Sequence, residues 1–164
     1  MATNTETSTQ GITPFLWFNG RVEEALDFYT SVFKDSRIGN VHRIPGEVPG
    51  RTGKVLTANF FLNGLEFMIV DGGPYYEMTP GTSFFVKCET QDEVDHYWEK
   101  LSEGGHRDRC GWLTDKFGVT WQIIPNALGR LMYDKDPAKG KRVMDAMMKM
   151  DKLVIAELEA AYNS

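Results

Sequence analysis

The side chains of this 164-residue chain that could do acid–base, nucleophilic or metal chemistry are scattered. His42 lies near the end of a weakly alternating segment, His96 inside a helical pattern, and His106 just past a helix end. The ordinary reading of each is a surface or partly buried histidine. The only cysteines, Cys88 and Cys110, make neither a disulfide framework nor a zinc site. Both read as small buried hydrophobes, with Cys110, beside Gly111-Trp112, having the alternative of a thiol in a groove. Glu66 either points into a groove or is a solvated carboxylate at a strand start. Asp71 reads as a turn residue. No Ser/His/Asp or Cys/His triad can be argued from these spacings.

The elements that must position these residues announce themselves as a repeat. Thr13–Val32, moved forward by 69 positions, lands on Thr82–Leu101. Thr13 then meets Thr82, Phe15 meets Phe84, Glu24 meets Glu93, Phe28 meets Tyr97 and Tyr29 meets Trp98. Each copy reads as a strand, a turn and an amphipathic helix carrying an aromatic pair. Two copies of one unit predict a pseudo-symmetric fold with a site where the halves meet.

In the first copy, Ile12–Phe18 reads as a strand, broken by Asn19-Gly20. Val22, Ala25, Leu26, Tyr29 and Phe33 recur at helical spacing. A weak strand over Ile38–Ile44 precedes a Pro/Gly loop, Pro45–Gly53. Lys54–Leu62 and Leu65–Val70 flank Asn63-Gly64, a strong hairpin signal. After the loop Asp71–Gly81, the second copy gives a strand at Thr82–Cys88 and a helix at Asp92–Glu103. Short strands follow near Arg107–Cys110, Gly111–Thr114 and Val119–Pro125. The hairpin turns correspond at an offset of 54, so the first copy carries about 15 extra residues, on the Pro/Gly loop. Beyond Pro125 a helix is expected over Asn126–Tyr133. A second follows Asp136-Pro137, an N-cap and a Pro at the first helical position. A third covers Val154–Tyr162.

Two tandem βαβββ modules resemble the vicinal-oxygen-chelate superfamily, which includes glyoxalase I, extradiol dioxygenases and bleomycin-resistance proteins. Within it the chain resembles the PhnB-like branch. The resemblance rests on Ile12–Phe18, on Glu24-Ala25 with Phe28-Tyr29, and on the hairpin Cys110–Pro125. Val143-Met144, Met147 and Ala160–Tyr162 in the tail also fit. It implies an α+β fold in which two curved mixed sheets form a cleft, as one domain over 1–164. Module one is 12–71, module two 82–125, and the helical tail 126–162. Proteins of this branch are often described as 3-demethylubiquinone methyltransferase-like. Here no glycine-rich loop joins a strand to a helix to hold an adenosyl cofactor, and the βαβββ plan is not doubly wound.

The superfamily's enzymes hold a divalent ion with two ligands per module. The resemblance carries those positions to Thr13, Met68, Thr82 or Ser83, and Gln122. None of these, nor of their immediate neighbours, is His, Asp or Glu. A hard or borderline divalent ion needs carboxylate or imidazole ligands, so a site without metal or other cofactor is expected. Strand alternation then puts Phe15 and Trp17 with Thr13, Glu66 and Val70 with Met68, Phe84 and Val86 with Thr82, and Thr120 and Ile124 with Gln122. The expected ligand-binding set is Phe15, Trp17, Met68, Phe84 and Gln122, on a mostly aromatic and aliphatic face. Such a face suits a flat or apolar small molecule. The plain alternative is that these aromatics fill a vestigial cleft. Tyr75-Tyr76 and the loop around Arg43–Arg51 could close over a ligand or be ordinary surface.

Composition narrows the partners. Hydrophobic residues make up 41% of the chain, enough for a core. The net charge of −5 leaves no basic stripe for phosphates, so no nucleic-acid partner is expected. The basic residues of Lys135–Lys152 are interleaved with aspartates and read as a solvated helix face. No apolar run reaches a membrane span. Met1–Gln10 is polar and Thr-rich, unlike a signal peptide, and is expected to fray; a cytoplasmic protein fits. The tail's Met132, Met144, Met147, Met148 and Met150 are adaptable apolar side chains that need cover from their own sheet or from a partner, and a homodimer is expected. The leading expectation is a metal-independent protein binding an apolar or aromatic molecule in the inter-module cleft. The alternatives are a lyase, isomerase or dioxygenase of the same superfamily, or an interaction protein working through its tail.

Overall fold

The computed structural model describes residues 10–164; apart from Gln10, the stretch expected to fray lies outside them. The chain divides into two compact units, Met1–Glu77 and Met78–Ser164. Both have the predicted βαβββ order.

In the first unit, β1 (Phe15–Phe18), α1 (Val22–Val32), β2 (Ser36–Arg43), β3 (Val55–Leu62) and β4 (Leu65–Asp71) build one sheet, ordered β1-β4-β3-β2. β1 runs parallel to β4, and the other pairs are antiparallel. Asn63 and Gly64 turn the β3–β4 hairpin with φ of 48° and 79°, the left-handed values a tight primed turn requires. Val22, Ala25, Leu26, Tyr29 and Val32 form the buried stripe of α1. The stripe meets Leu16, Phe18, Ala58, Phe60, Phe67 and Ile69, all buried on one face of the sheet. Phe60, fully buried, stacks on Phe67 at 5.3 Å and on Tyr29 at 5.9 Å between ring centroids. The first strand is shorter than predicted. Ile12 lies outside it and is 88% exposed, although the Pro14 carbonyl still accepts from Met68 N at 2.8 Å.

In the second unit, β5 (Phe84–Cys88), α2 (Gln91–Ser102), β6 (His106–Arg107), β7 (Trp112–Thr114) and β8 (Thr120–Pro125) repeat the plan as β5-β8-β7-β6. Thr90 caps α2 by accepting from Glu93 N, and the Glu93 carboxylate accepts from Glu89 N. This reciprocal cap fixes where the helix starts. The strand expected over Arg107–Cys110 stops at Arg107. Cys110 and Gly111 turn with φ of 60° and 82°, and their N–H groups bond to Met150 O at 2.8 Å and Asp151 O at 2.7 Å. The tail has taken the Cys110 N–H, at the end of the strand expected there.

The tail comprises α3 (Asn126–Met132), α4 (Pro137–Met147) and α5 (Ile155–Asn163). Asp136 caps α4 by accepting from Ala138 N at 2.9 Å, with Pro137 in the first turn. The three helices pack on their own chain. Leu128, Val143, Leu153 and Leu158 are buried in one cluster with Ile124 of β8. Cover for the predicted stripe is therefore partial: Val143 is fully buried, while Met144 and Met148 are 45% and 53% exposed.

The β7–β8 hairpin turns on a buried carboxylate. Asp115 Oδ1 accepts from Phe117 N at 2.8 Å and Val119 N at 3.0 Å, and Oδ2 accepts from Trp121 Nε1 at 2.8 Å. Removing the acceptor strands buried donors, so Asp115→Ala is expected to cost at least about 2 kcal/mol of unfolding free energy. Asp136→Ala, an exposed cap, should cost about 1 kcal/mol. Urea denaturation of the two variants checks the ranking.

Candidate functional site

Each sheet packs its helix on one face, and the register determines which side chains occupy the other. In the first unit Phe15 pairs with Met68 and Trp17 with Val70 across the parallel β1–β4 seam. Asn59 pairs with Met68, Phe61 with Glu66, and Arg37 with Phe61. Paired residues share a face, so Phe15, Trp17, Met68, Val70, Glu66, Asn59 and Phe61 lie together, opposite α1. Phe15 is 53% exposed and Met68 36%. The Arg37 guanidinium sits 3.7 Å over the Phe61 ring centroid.

Trp17 is on the expected face, but its own loop already covers it. Its Nε1 donates to Gly73 O at 2.9 Å, and Tyr76 meets its ring edge-on at 4.9 Å. The backbone at Gly72 runs so close that a Cβ there would lie 2.2 Å from the indole. Tyr76 thus packs on Trp17 itself while staying largely exposed. The Pro/Gly loop is tied down as well. Arg51 reaches Asp71 through its carbonyl at 2.7 Å and its carboxylate at 3.1 Å. Asp71, read from sequence as a turn residue, instead ends β4; it is buried and also accepts from Gly20 N.

In the second unit Phe85, not Phe84, pairs with Gln122. Phe84 pairs with Trp121 and packs on its ring at 5.4 Å. It therefore shares the helix-side face with buried Val86 and Cys88, and the expectation that Phe84 and Val86 lie beside Gln122 is corrected. The cause is a single residue. The two helices correspond at the repeat's offset, but the connection from strand to helix is one residue shorter in the second unit. Phe15 thus corresponds to Phe85, and a one-residue slip reverses a strand's faces. Phe85 is 55% exposed. Gln122 Nε2 donates to Ser83 Oγ at 2.8 Å. Ile124, expected on the open face, is there but lies under the tail.

The other titratable candidates remain apart. His106 pairs with Asp108 at 3.0 Å on the surface, and His96 lies against the Tyr97 ring. His42 pairs in register with Thr57 at the exposed end of β2. Burial, with the Glu93 charge added, pushes the Cys88 thiol up to about 12, so it is no nucleophile at neutral pH. Among the described residues no three His, Cys, Asp or Glu side chains gather as a metal site. The positions that the resemblance maps for a metal hold a thioether, an amide and hydroxyls, a donor set that does not fit a hard or borderline divalent ion. Sequence reasoning missed Asn59 and Phe61. Their alternation within β3 was readable, but their pairing with Glu66 and Met68 needed the hairpin register.

Two βαβββ units, each with a four-stranded mixed sheet in the order first-last-third-second, define the glyoxalase-like fold of the vicinal-oxygen-chelate superfamily. The family described as 3-demethylubiquinone-9 3-methyltransferase matches residues 10–124, and the chain belongs to this PhnB-like family. The match ends before the tail, which was expected to fall within it. A Bacillus cereus structure titled a putative 3-demethylubiquinone-9 3-methyltransferase, PhnB protein, is 41% identical, covers 71% of this chain and 99% of that one, and has a TM-score of 0.66. A Pseudomonas aeruginosa protein is 23% identical over 70% of this chain and 96% of that one, with a TM-score of 0.61. The fosfomycin resistance protein FosX of Listeria monocytogenes, solved with manganese and sulfate, is 15% identical over 70% and 90%, with a TM-score of 0.50. The last two show the fold alone. No curated protein matches the chain. The family's description implies a methyl donor, and the strand-to-helix turns do not fit one. Gly20 N is held by Asp71 in one unit, and Glu89 N and Glu93 N are used by the α2 cap in the other.

The register carries a direct check. Phe84→Ala is expected to cost about 2 kcal/mol of stability as a packed ring is lost, and Phe85→Ala to stay within about 0.5 kcal/mol. Thermal and urea unfolding should separate the two.

Proposed function

We propose that the chain is a metal-independent small-molecule-binding protein. It takes an apolar or aromatic ligand on the open sheet faces, in the cleft that the superfamily resemblance implies between the modules. The observation that carries this reading is the adjacent exposed pair Phe15 and Met68, with Phe85 beside Gln122 in the second unit. Exposed aromatics in register with a thioether and an amide offer stacking and orientation without a charged ligand set. Trp17 acts as the wall behind Phe15 rather than as a free stacking platform. In place of Phe84, the binding set contains Phe85.

Native protein should release an aromatic or apolar small molecule detectable by mass spectrometry. Titration with 2-methoxynaphthalene should perturb Trp17 emission, and Phe15→Ala should weaken that binding by about 1–2 kcal/mol, in line with aromatic anchor contacts. Unchanged affinity in Phe15→Ala would remove the proposed site. Dialysis against zinc, nickel, manganese and iron should leave far less than one equivalent bound; one equivalent lost on Gln122→Ala would overturn the metal-free reading.

The chain also pairs as a homodimer in this proposal, supported by exposed Met144 and Met148 beside the packed tail. Light scattering at micromolar concentration should give twice the 18.6 kDa chain mass, and Met144→Glu with Met148→Glu should give a monomer. A cytoplasmic setting agrees with the two free cysteines, and among the described residues no helix is long and apolar enough to cross a membrane.

A further inference from the structure

Next to Phe15 and Met68 on the first sheet, one carboxylate is held in place by a short chain of contacts. β2 pairs irregularly with β3 between Ile38 and Val41, leaving Gly39 and Asn40 as a bulge. The Asn40 N–H donates to Asn59 Oδ1. A backbone N–H can only donate, so this bond fixes the amide: Oδ1 faces the bulge, and Nδ2 faces the other way. Nδ2 donates to Glu66 Oε1 at 2.8 Å. Gly39 is required for this arrangement, since a Cβ there would lie 2.6 Å from Asn59 Oδ1. The Glu66 backbone is held in turn by the Gln10 side chain, which accepts from its N–H at 3.1 Å and donates to its carbonyl at 3.0 Å. Among the described residues, Glu66 Oε2 receives no hydrogen bond and no ion pair.

A bulge that re-aims a side chain is a recurrent device beside binding sites. Here it orients an amide, the amide orients a carboxylate, and one carboxylate oxygen remains for something else. Glu66 and Met68 alternate on one face of β4, about 7 Å apart along the strand. The neighbouring Phe61 ring already lies under Arg37. The free apolar surface beside Glu66 is therefore the Phe15–Met68 pair.

Resting on the binding function proposed above, we infer that Glu66 selects the ligand class: an aromatic molecule carrying an O–H or N–H donor, its ring on Phe15 and Met68 and its donor on Glu66 Oε2. Asn59 and Gly39 are positioning residues that act through Glu66.

Two probes of nearly equal shape test this, 2-naphthol and 2-methoxynaphthalene, titrated calorimetrically against the full chain. The wild type should bind 2-naphthol about tenfold more tightly, the scale of a hydrogen bond to a charged acceptor. Glu66→Ala and Asn59→Ala should bring the ratio to about one, with 2-methoxynaphthalene affinity held within about twofold as evidence of an intact apolar site. Glu66→Gln keeps the shape but places a donor where Oε2 stood, which the oxygen of either probe can accept, and should bring the ratio to about one. Gly39→Ala should lower the ratio as Asn59→Ala does. Equal affinity of the wild type for both probes, or a preference that survives in Glu66→Ala, overturns the selection by Glu66 and leaves ligand binding standing. Failure of both probes to bind overturns the binding function and the selection together.

Discussion

The parallel seam between the first and last strand of each unit is the constraint on which the rest depends. It fixes Phe15 beside Met68 in one sheet and Phe85 beside Gln122 in the other. Once those pairs are set, alternation decides every other position: which residues meet the helix, which stay open, and which backbone groups remain for loops. The packing of Leu16 and Ile69 on α1, and of Val86 and Ile123 beneath α2, follows from the same register. A shift of one residue would exchange the two faces, turning Glu66 and Asn59 toward α1 and exposing Phe60, Phe67 and Ile69.

Most of the architecture was legible in the sequence because it rests on local signals. The helical stripe at Ala25, Leu26 and Tyr29, the Asn63-Gly64 turn, and the Asp136-Pro137 cap each specify structure within a few residues. The self-similarity of the chain then supplied the module plan. The site was less legible because it depends on register between distant strands. Extending the repeat's offset unbroken from helix to strand put Phe84 on the open face, where the shorter turn before α2 puts Phe85. Nothing local marks that missing residue. Likewise, Glu66 alone reads as a strand-start carboxylate; only β3 pairing brings Asn59 to it.

The two units have diverged in how they use the same surface. In the second, the tail lies over Ile124, and Gln91 stitches it down by donating to Leu153 O and accepting from Ile155 N. The Cys110 and Gly111 N–H groups bond to it, while the Gly111 carbonyl still accepts from Ile123 N of β8. In the first unit the position equivalent to Ile124 is Val70, paired with Trp17 and Thr57, and the added residues form the Arg51-anchored loop instead; Glu66, Asn59 and Phe61 lie toward the other end of the strands. The family match, residues 10–124, ends before this tail.

The strand order has a consequence in time. β3 and β4 are joined by two residues and can zip as soon as both exist, but β1 must wait for β4, with α1, β2 and β3 all lying between them. Closing that long segment costs entropy that only the finished seam returns. During synthesis each unit therefore carries its opening strand unpaired until its last strand has emerged, and the second unit adds its tail only after that. The edge most exposed to mispairing is the one made first and used last.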